Sequence, residues 1–201
     1  MNILISPLPE TVNISGKSYP INADFRAGVE FEMMIERGEE SAFNLVAPFF
    51  PDGLPFDISG ALRAVELFYC CGELPEKSKK AEKPTQGKQA YSFGVDASAI
   101  FADFWRYYRI DLTREWLHWW AFRALLMGLP EKSEFKQRVY YRTCDLKDLS
   151  KRERARVMGI RSKIEIENKT GGKLTLEERN AAMKAYIAQR SAETAGGGLN
   201  G

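Results

Sequence analysis

The segment 111–128 constrains the fold more than any other part of the chain. Asp111 is an N-cap residue type, which accepts backbone N–H groups at a helix start, and Gly128 followed by Pro130 is a typical helix stop. Between these ends, apolar side chains fall on nearly every side of a helical wheel, a pattern typical of a buried helix. The sequence therefore predicts one central helix over 111–128 within a mainly α-helical fold.

The aromatic residues in and before this segment predict the core. Three of the four tryptophans lie within it, and the fourth lies just upstream. Arg123 follows two of them at helical spacing, so its guanidinium can stack on an indole ring. Aromatic and Arg residues also alternate in this way on single-strand nucleic-acid surfaces, but helix-core spacing favours packing. We predict a core containing Trp105, Trp116, Trp119, Trp120, Phe122 and Arg123.

Capping and turn residues predict the other elements. Two β-prone runs around Ser15 and Gly16 indicate a small hairpin over 12–21. Asp24, Asp57, Asp96, Ser133 and Ser150 each stand before an apolar periodic run, where an N-cap is expected. The sequence predicts helices over 25–37, 39–47, 57–71, from Asp96, 133–146, from Ser150 and over 175–190.

Composition shifts divide the chain into four segments, which we expect to form one composite domain. They are the acidic hairpin and helices of 1–72, a Lys-rich mobile loop at 73–89, a helical core at 90–170, and 171–201. The last segment combines an amphipathic helix with a Gly-rich tail that is expected to be disordered.

Charge is distributed unevenly although the net charge is only +2. Residues 1–72 carry 4 basic and 10 acidic side chains, whereas 132–163 carries 11 basic and 4 acidic ones. Such asymmetry can mark a surface for an acidic partner, and it can equally be a solvated helix face. The candidate partner-binding residues are Lys151, Arg152, Arg154 and Arg156.

Catalytic and metal-binding patterns are missing from the sequence. His118 is the only histidine, and the three cysteines lack zinc-finger spacing. There is no P-loop, GxGxxG or HExxH motif. We expect a non-enzymatic protein with no catalytic residue, cofactor or metal. Without a signal-peptide pattern or an apolar run of about 18 residues, it is expected to be intracellular with reduced thiols.

Four segments in order resemble one family. They are Phe93-Gly-Val-Asp96, IFADFWRYYRIDL at 100–112, LHWWAFRAL at 117–125 and YRTCDL at 141–146. Together they resemble the bacteriophage gene-product-fifteen family, from temperate siphophages of Gram-positive hosts and their prophages. Cys144 stands where the family has Met, a neutral exchange of soft apolar residues. The resemblance covers about 90–165.

The resemblance implies a helical protein encoded beside the tape-measure gene of the tail cluster. It therefore implies a tail assembly chaperone that keeps the tape-measure protein soluble in the host cytoplasm during virion morphogenesis. The expected partner is the tape-measure protein, with the tail tube protein and a second copy of the chain as further candidates; no membrane is expected. Two alternatives stay open: a nucleic-acid-binding or regulatory phage protein, although nucleic acid is not an expected partner, and a structural tail component.

Overall fold

The computed structural model describes residues 3–39, 41–73, 89–147 and 149–166. The predicted mainly α fold with a small N-terminal hairpin is confirmed. The predictions for the Lys-rich loop (apart from its end residues), the 175–190 helix and the Gly-rich tail lie outside the described residues. The elements are β1 (Thr11–Ile14), β2 (Lys17–Pro20), α1 (Phe25–Glu36), α2 (Ala42–Val46), α3 (Ile58–Tyr69), α4 (Phe93–Asp103), α5 (Trp119–Met127), α6 (Glu134–Thr143) and α7 (Lys151–Arg161).

The chain forms two compact units. The described residues of the first unit are 3–39, 41–73 and 116–124, and those of the second are 89–115, 125–147 and 149–166. Helix α5 contributes its residues up to Ala124 to the first unit and the remainder to the second. This differs from the predicted segments, because Trp116–Ala124 groups with the N-terminal part and not with 90–170.

The hairpin forms where the turn dipeptide predicts it. Strands β1 and β2 pair antiparallel, with Ile14 opposite Lys17. Ser15 and Gly16 both have positive φ, 51° and 83°, as a type I′ turn requires. The Ser15 hydroxyl donates to Asp57 Oδ2 over 2.6 Å, while Asp57 Oδ1 accepts the Gly60 N–H over 2.8 Å. One carboxylate thus caps α3 and ties it to the hairpin.

Most helix starts match their predicted caps. Asp24, Asp57, Ser133 and Ser150 accept a backbone N–H at the starts of α1, α3, α6 and α7. The prediction for Asp96 is wrong, because Ser92 caps α4 and Asp96 lies buried in its first turn. Helix α2 is shorter than expected: Ser41 caps it, and a 3-10 turn at Ala47–Phe49 incorporates Pro48.

The single helix predicted over 111–128 is also wrong, since only Trp119–Met127 is helical. Asp111 caps one isolated turn, accepting the Thr113 N–H over 2.9 Å. The chain then extends: Phe25 N–H donates to Leu117 O over 2.9 Å, and Trp119 N–H to Ala23 O over 2.8 Å. This bridge uses backbone groups that a continuous helix would need.

Two tryptophans and an arginine close the carbonyl end of α3. Trp120 Nε1 donates to Phe68 O over 2.7 Å, and Trp119 Nε1 donates to Tyr69 O over 2.9 Å. Arg123 Nη1 reaches the same Tyr69 carbonyl over 3.1 Å, and its guanidinium lies 5.7 Å from the Trp119 ring centre. Last-turn carbonyls lack partners within their own helix, so these donors attach α5 to α3.

Two of the six predicted core residues are corrected by the structure. Trp119, Trp120 and Phe122 are buried, and Arg123 is partly buried. Trp105 and Trp116 are 50% and 59% exposed. Trp116 lies in the extended segment before α5, and Trp105 lies on the outer side of a π-helical turn, Phe104–Tyr108.

The contact between α1 and Trp119 provides a test of this packing. A Cβ added to Gly28 would lie 2.4 Å from Trp119 Cε3. We expect Gly28→Ala to lower the free energy of unfolding by roughly 1–3 kcal/mol through overpacking. Gly159→Ala in α7 is the matched control, since its Cβ meets open space, and it should stabilise by about 0.5–1 kcal/mol. Urea denaturation of both variants measures the difference; equal effects would contradict the packing.

The Asp57 cap predicts an acid-dependent part of the stability. The Ser15 hydroxyl, followed by the Gly60 N–H, holds the pKa of Asp57 below its ordinary value. A lowered folded-state pKa stabilises above the unfolded value of about 3.9, and this contribution is lost as pH falls through the folded pKa. Asp57→Asn retains a good cap without the charge. The stability difference between wild type and variant should therefore shrink from pH 6 to pH 3; a constant difference would contradict the assignment.

Candidate interaction surfaces

Two buried carboxylates fix the orientation of α4 in the second unit. Asp96 has no exposed surface, and its oxygens accept from Arg142 Nη1 and Nη2 over 2.6 and 2.8 Å. Arg142, on α6, is itself only 3% exposed. Paired charges can stay inside a protein when their geometry is bidentate, as it is here.

The remaining donors of this cluster are also used. Arg142 donates to Ile164 O over 2.7 Å and to Ala90 O over 3.3 Å. Arg138 reaches Asp96 over 3.3 Å. Burial alone would lower the pKa of Arg138, but its hydrogen bonds to Glu134 and Asp96, together with the negative charges of these two carboxylates, raise it. The cluster is therefore a fully engaged structural ion pair.

Asp103 makes the second attachment at the other end of α4. Its carboxylate accepts the Phe135 N–H over 2.8 Å and the Glu134 N–H over 3.2 Å, so it satisfies free amides at the positive start of α6. Asp96 and Asp103 are seven residues apart, hence on one side of α4. The charged side of this helix consequently faces inward, and α4 and α6 run antiparallel.

The outward side of α4 is therefore uncharged. Phe101 and Trp105 are 37% and 50% exposed, whereas Ile100 and Phe104, one position earlier in each turn, are buried. This exposure is the reason that the core prediction for Trp105 is wrong. We name as the α4 surface its exposed residues, which are Gly94, Val95, Ala97, Ser98, Phe101, Ala102 and Trp105.

Basic residues follow the α4 surface at its C-terminal end. Arg106 lies in the π-helical turn, and Arg109 ends it with a left-handed φ of 61°. Both side chains are exposed, and neither forms an ion pair with another described residue. Across its described residues the second unit carries 14 basic and 9 acidic side chains, a net charge of +5.

The predicted partner-binding residues lie together on α7. Lys151, Arg152, Arg154 and Arg156 are all exposed, and Arg154 donates to Lys147 O over 3.4 Å. Helix α7 attaches to the end of α6 through Arg161, which donates to Tyr141 O over 2.8 Å and to Cys144 O over 3.0 Å. The arrangement exposes four basic side chains of α7 to solvent.

His118 and the cysteines make no recognisable chemical site. His118 is 3% exposed, accepts the Trp120 N–H at Nδ1 and lies 3.0 Å from Pro9 O through Nε2. Burial raises the pKa of Cys71, which disfavours its reactive thiolate. Within the described ranges no three His, Cys, Asp or Glu side chains are placed to hold a metal ion. None of the helices described is long and apolar enough to cross a membrane.

Comparison with models of protein families tests the family resemblance that the motifs suggest. The family model described as Bacteriophage Gp15 protein matches residues 4–166, most of the chain. The chain belongs to the bacteriophage Gp15 protein family. Comparisons with curated proteins and with solved structures gave no match. The match includes the N-terminal third, where we identified no motif.

The Gp15 motif segments coincide with the two structural clusters. Residues 117–125 contain the indole and guanidinium donors that close α3. Asp96 of the first quoted segment pairs with Arg142 of the last. The motif segments of this Gp15 protein thus contain both clusters, and five of the seven residues of the α4 surface also lie within them.

The buried pair gives a direct stability prediction. Arg142→Ala leaves the Asp96 carboxylate without its main counter-charge, so we expect a loss of about 3–5 kcal/mol in unfolding free energy. Arg152→Ala on exposed α7 is the control and should change stability by less than about 0.5 kcal/mol. Chemical denaturation followed by circular dichroism measures both. A loss below 1 kcal/mol for Arg142→Ala would show that the pair does not hold α4.

Proposed function

We propose that this phage protein is a non-enzymatic tail assembly chaperone that keeps the tape-measure protein soluble in the host cytoplasm before the tail tube polymerises. The observation that carries the proposal is the α4 surface, a helix side whose exposed residues are all uncharged and include Phe101 and Trp105. Exposed aromatic side chains grouped on one helix are typical of protein-binding surfaces.

A tape-measure chain suits this surface for physical reasons. It is long and largely helical, and before assembly its apolar stripes invite aggregation. A stripe that packs on Phe101 and Trp105 gains about 25 cal/mol for each Å² of apolar area removed from water. Ordering costs cancel much of this gain, so binding is reversible and the client can be released to the growing tail.

Charge has a secondary role in the proposal. Exposed basic residues of the second unit, including those on α7, accelerate encounter with acidic segments and lose influence as salt screens them. The apolar contact is less sensitive to salt. The complex should therefore persist at moderate ionic strength with a modest loss of affinity.

Co-expression tests the proposal. The tape-measure protein encoded beside this chain should become soluble and co-purify with it. The double variant Phe101→Gln, Trp105→Gln should reduce the co-purified amount at least about fivefold, since each aromatic anchor contributes on the order of 1 kcal/mol or more. Both residues are exposed, so its denaturation midpoint should stay close to that of wild type.

Trp116→Gln is the matched control, because Trp116 is exposed to a similar degree but lies in the first unit. It should leave co-purification unchanged. Tape-measure protein that stays aggregated in the presence of the wild-type chain would refute the chaperone function. Retention of this chain in purified virions would favour a structural tail component instead.

Nucleic-acid binding is the second candidate, and one observation favours it. Trp105 is exposed and is followed by Arg106, which forms no ion pair within the described part of the chain. An exposed indole beside a guanidinium can stack on and neutralise a single strand. A complex with six or more phosphate contacts should lose on the order of a thousandfold in affinity between 50 and 200 mM salt. Binding of single-stranded DNA with that slope, without any effect on tape-measure solubility, would select this function.

A further inference from the structure

We propose that the α4 surface, together with Arg106 and Arg109, is the docking site for an amphipathic helix with acidic residues beside its apolar stripe. The inference rests on the proposed function and names the class of client segment. It follows from two features of the second unit. The acidic residues of α4 point inward, and the two arginines that follow the helix are exposed without ion pairs to the described residues.

The apolar part sets the length of the partner stripe. From Gly94 to Trp105 the surface spans eleven residue steps, about 17 Å at helical rise. A partner helix lying along it would contact the surface over about three turns, with apolar residues at i, i+3 or i+4 and i+7. The small residues stand at the N-terminal half and the two aromatics at the C-terminal half. The closest approach is therefore near Gly94, and the largest contact is at Trp105.

The charges set the chemistry beside that stripe. Asp96 and Asp103 are the only acidic residues of α4, and both are buried and bonded to α6. The helix therefore presents no negative charge that would repel an acidic partner. Among the nearest acidic groups that follow, the Asp111 carboxylate holds the Thr113 N–H, while Glu115 accepts the Asp111 N–H.

The basic groups nearby are available. Arg106 and Arg109 are exposed, without ion pairs to the described residues, at the end where the aromatics lie. The net +5 of the second unit's described residues has the same sign. Acidic side chains flanking the partner stripe complement this charge. A second copy that docked through its own α4 surface would bring another unit whose described residues carry +5, which disfavours this symmetric pairing.

Two synthetic peptides test the inference on the full-length protein. Both carry the same three-turn apolar stripe in a helical sequence of about 20 residues, flanked by Glu in one and by Lys in the other. In fluorescence anisotropy at 50 mM salt, the Glu peptide should bind about five- to tenfold more tightly, and the preference should narrow at 300 mM. Equal affinities, or tighter binding of the Lys peptide, would overturn the inference.

Paired variants locate the site. Arg106→Gln with Arg109→Gln should reduce the preference for the Glu peptide to less than about twofold, while Arg152→Gln with Arg156→Gln on α7 should leave most of it intact. Trp105→Gln should weaken both peptides. Loss of the preference in the α7 pair alone would place the site on α7 and refute the assignment to α4. A single-stranded oligonucleotide that displaces the peptide with a steep salt slope would also refute it in favour of nucleic acid.

Failure of the inference and failure of the proposed function give different results. If the Glu peptide binds as expected but tape-measure protein stays insoluble, the docking site stands and the chaperone function fails. If tape-measure protein is solubilised but the peptides bind equally, the chaperone function stands and the acidic preference fails.

Discussion

The second unit depends on the pairing of one carboxylate that has no exposed surface. A charge removed from water must be matched by a counter-charge and hydrogen bonds, or the fold pays several kcal/mol. Arg142 donates to Asp96 with both terminal nitrogens. Asp103 accepts the Phe135 N–H at the start of α6, the helix that carries Arg142. Because both acidic residues of α4 are used inward, the residues left for solvent are uncharged. The candidate surface is thus a consequence of how the interior is neutralised.

The first unit solves a different problem, the unpaired carbonyls at the end of α3. A local left-handed turn satisfies two of them: Cys71 N–H bonds to Phe68 O and Gly72 N–H to Leu67 O, as in a Schellman motif. The indoles of Trp119 and Trp120 then add donors to Phe68 O and Tyr69 O. Tryptophan suits this position because it combines a large apolar body with one N–H that needs an acceptor. These side chains are anchors between helices as well as core filling.

Local chemistry explains what the sequence predicts well. An N-cap depends on a side chain and amides within three residues, so the caps proposed at Asp24, Asp57, Ser133 and Ser150 are correct. The errors come from distant partners. The backbone bridge between Ala23 and Trp119 prevents the long helix. The apolar periodicity of 111–128 carries no information about this distant partner. The outward side of α4 depends on Arg142, 46 residues beyond Asp96; without that partner, Ile100 and Phe101 look equally suited to the core. The seven-residue spacing of Asp96 and Asp103 places both carboxylates on one side of the helix, and this is the sequence signal for its charged, inward side.

A surface made this way has a particular kind of specificity. The α4 surface offers apolar contact and, apart from the Ser98 hydroxyl and the Trp105 indole N–H, no side-chain hydrogen-bonding group, so it accepts many apolar stripes without requiring one sequence. Selection then falls to charges beside the stripe, which discriminate by repulsion as much as by attraction. The proposed chaperone function requires that combination: weak contacts that tolerate sequence variation, and a charge preference that disfavours the pairing of two α4 surfaces. Nucleic-acid recognition needs many phosphate contacts at once. Two arginines at the end of an apolar helix side can make only a few of these contacts, but they are enough to pair with acidic residues of a partner helix.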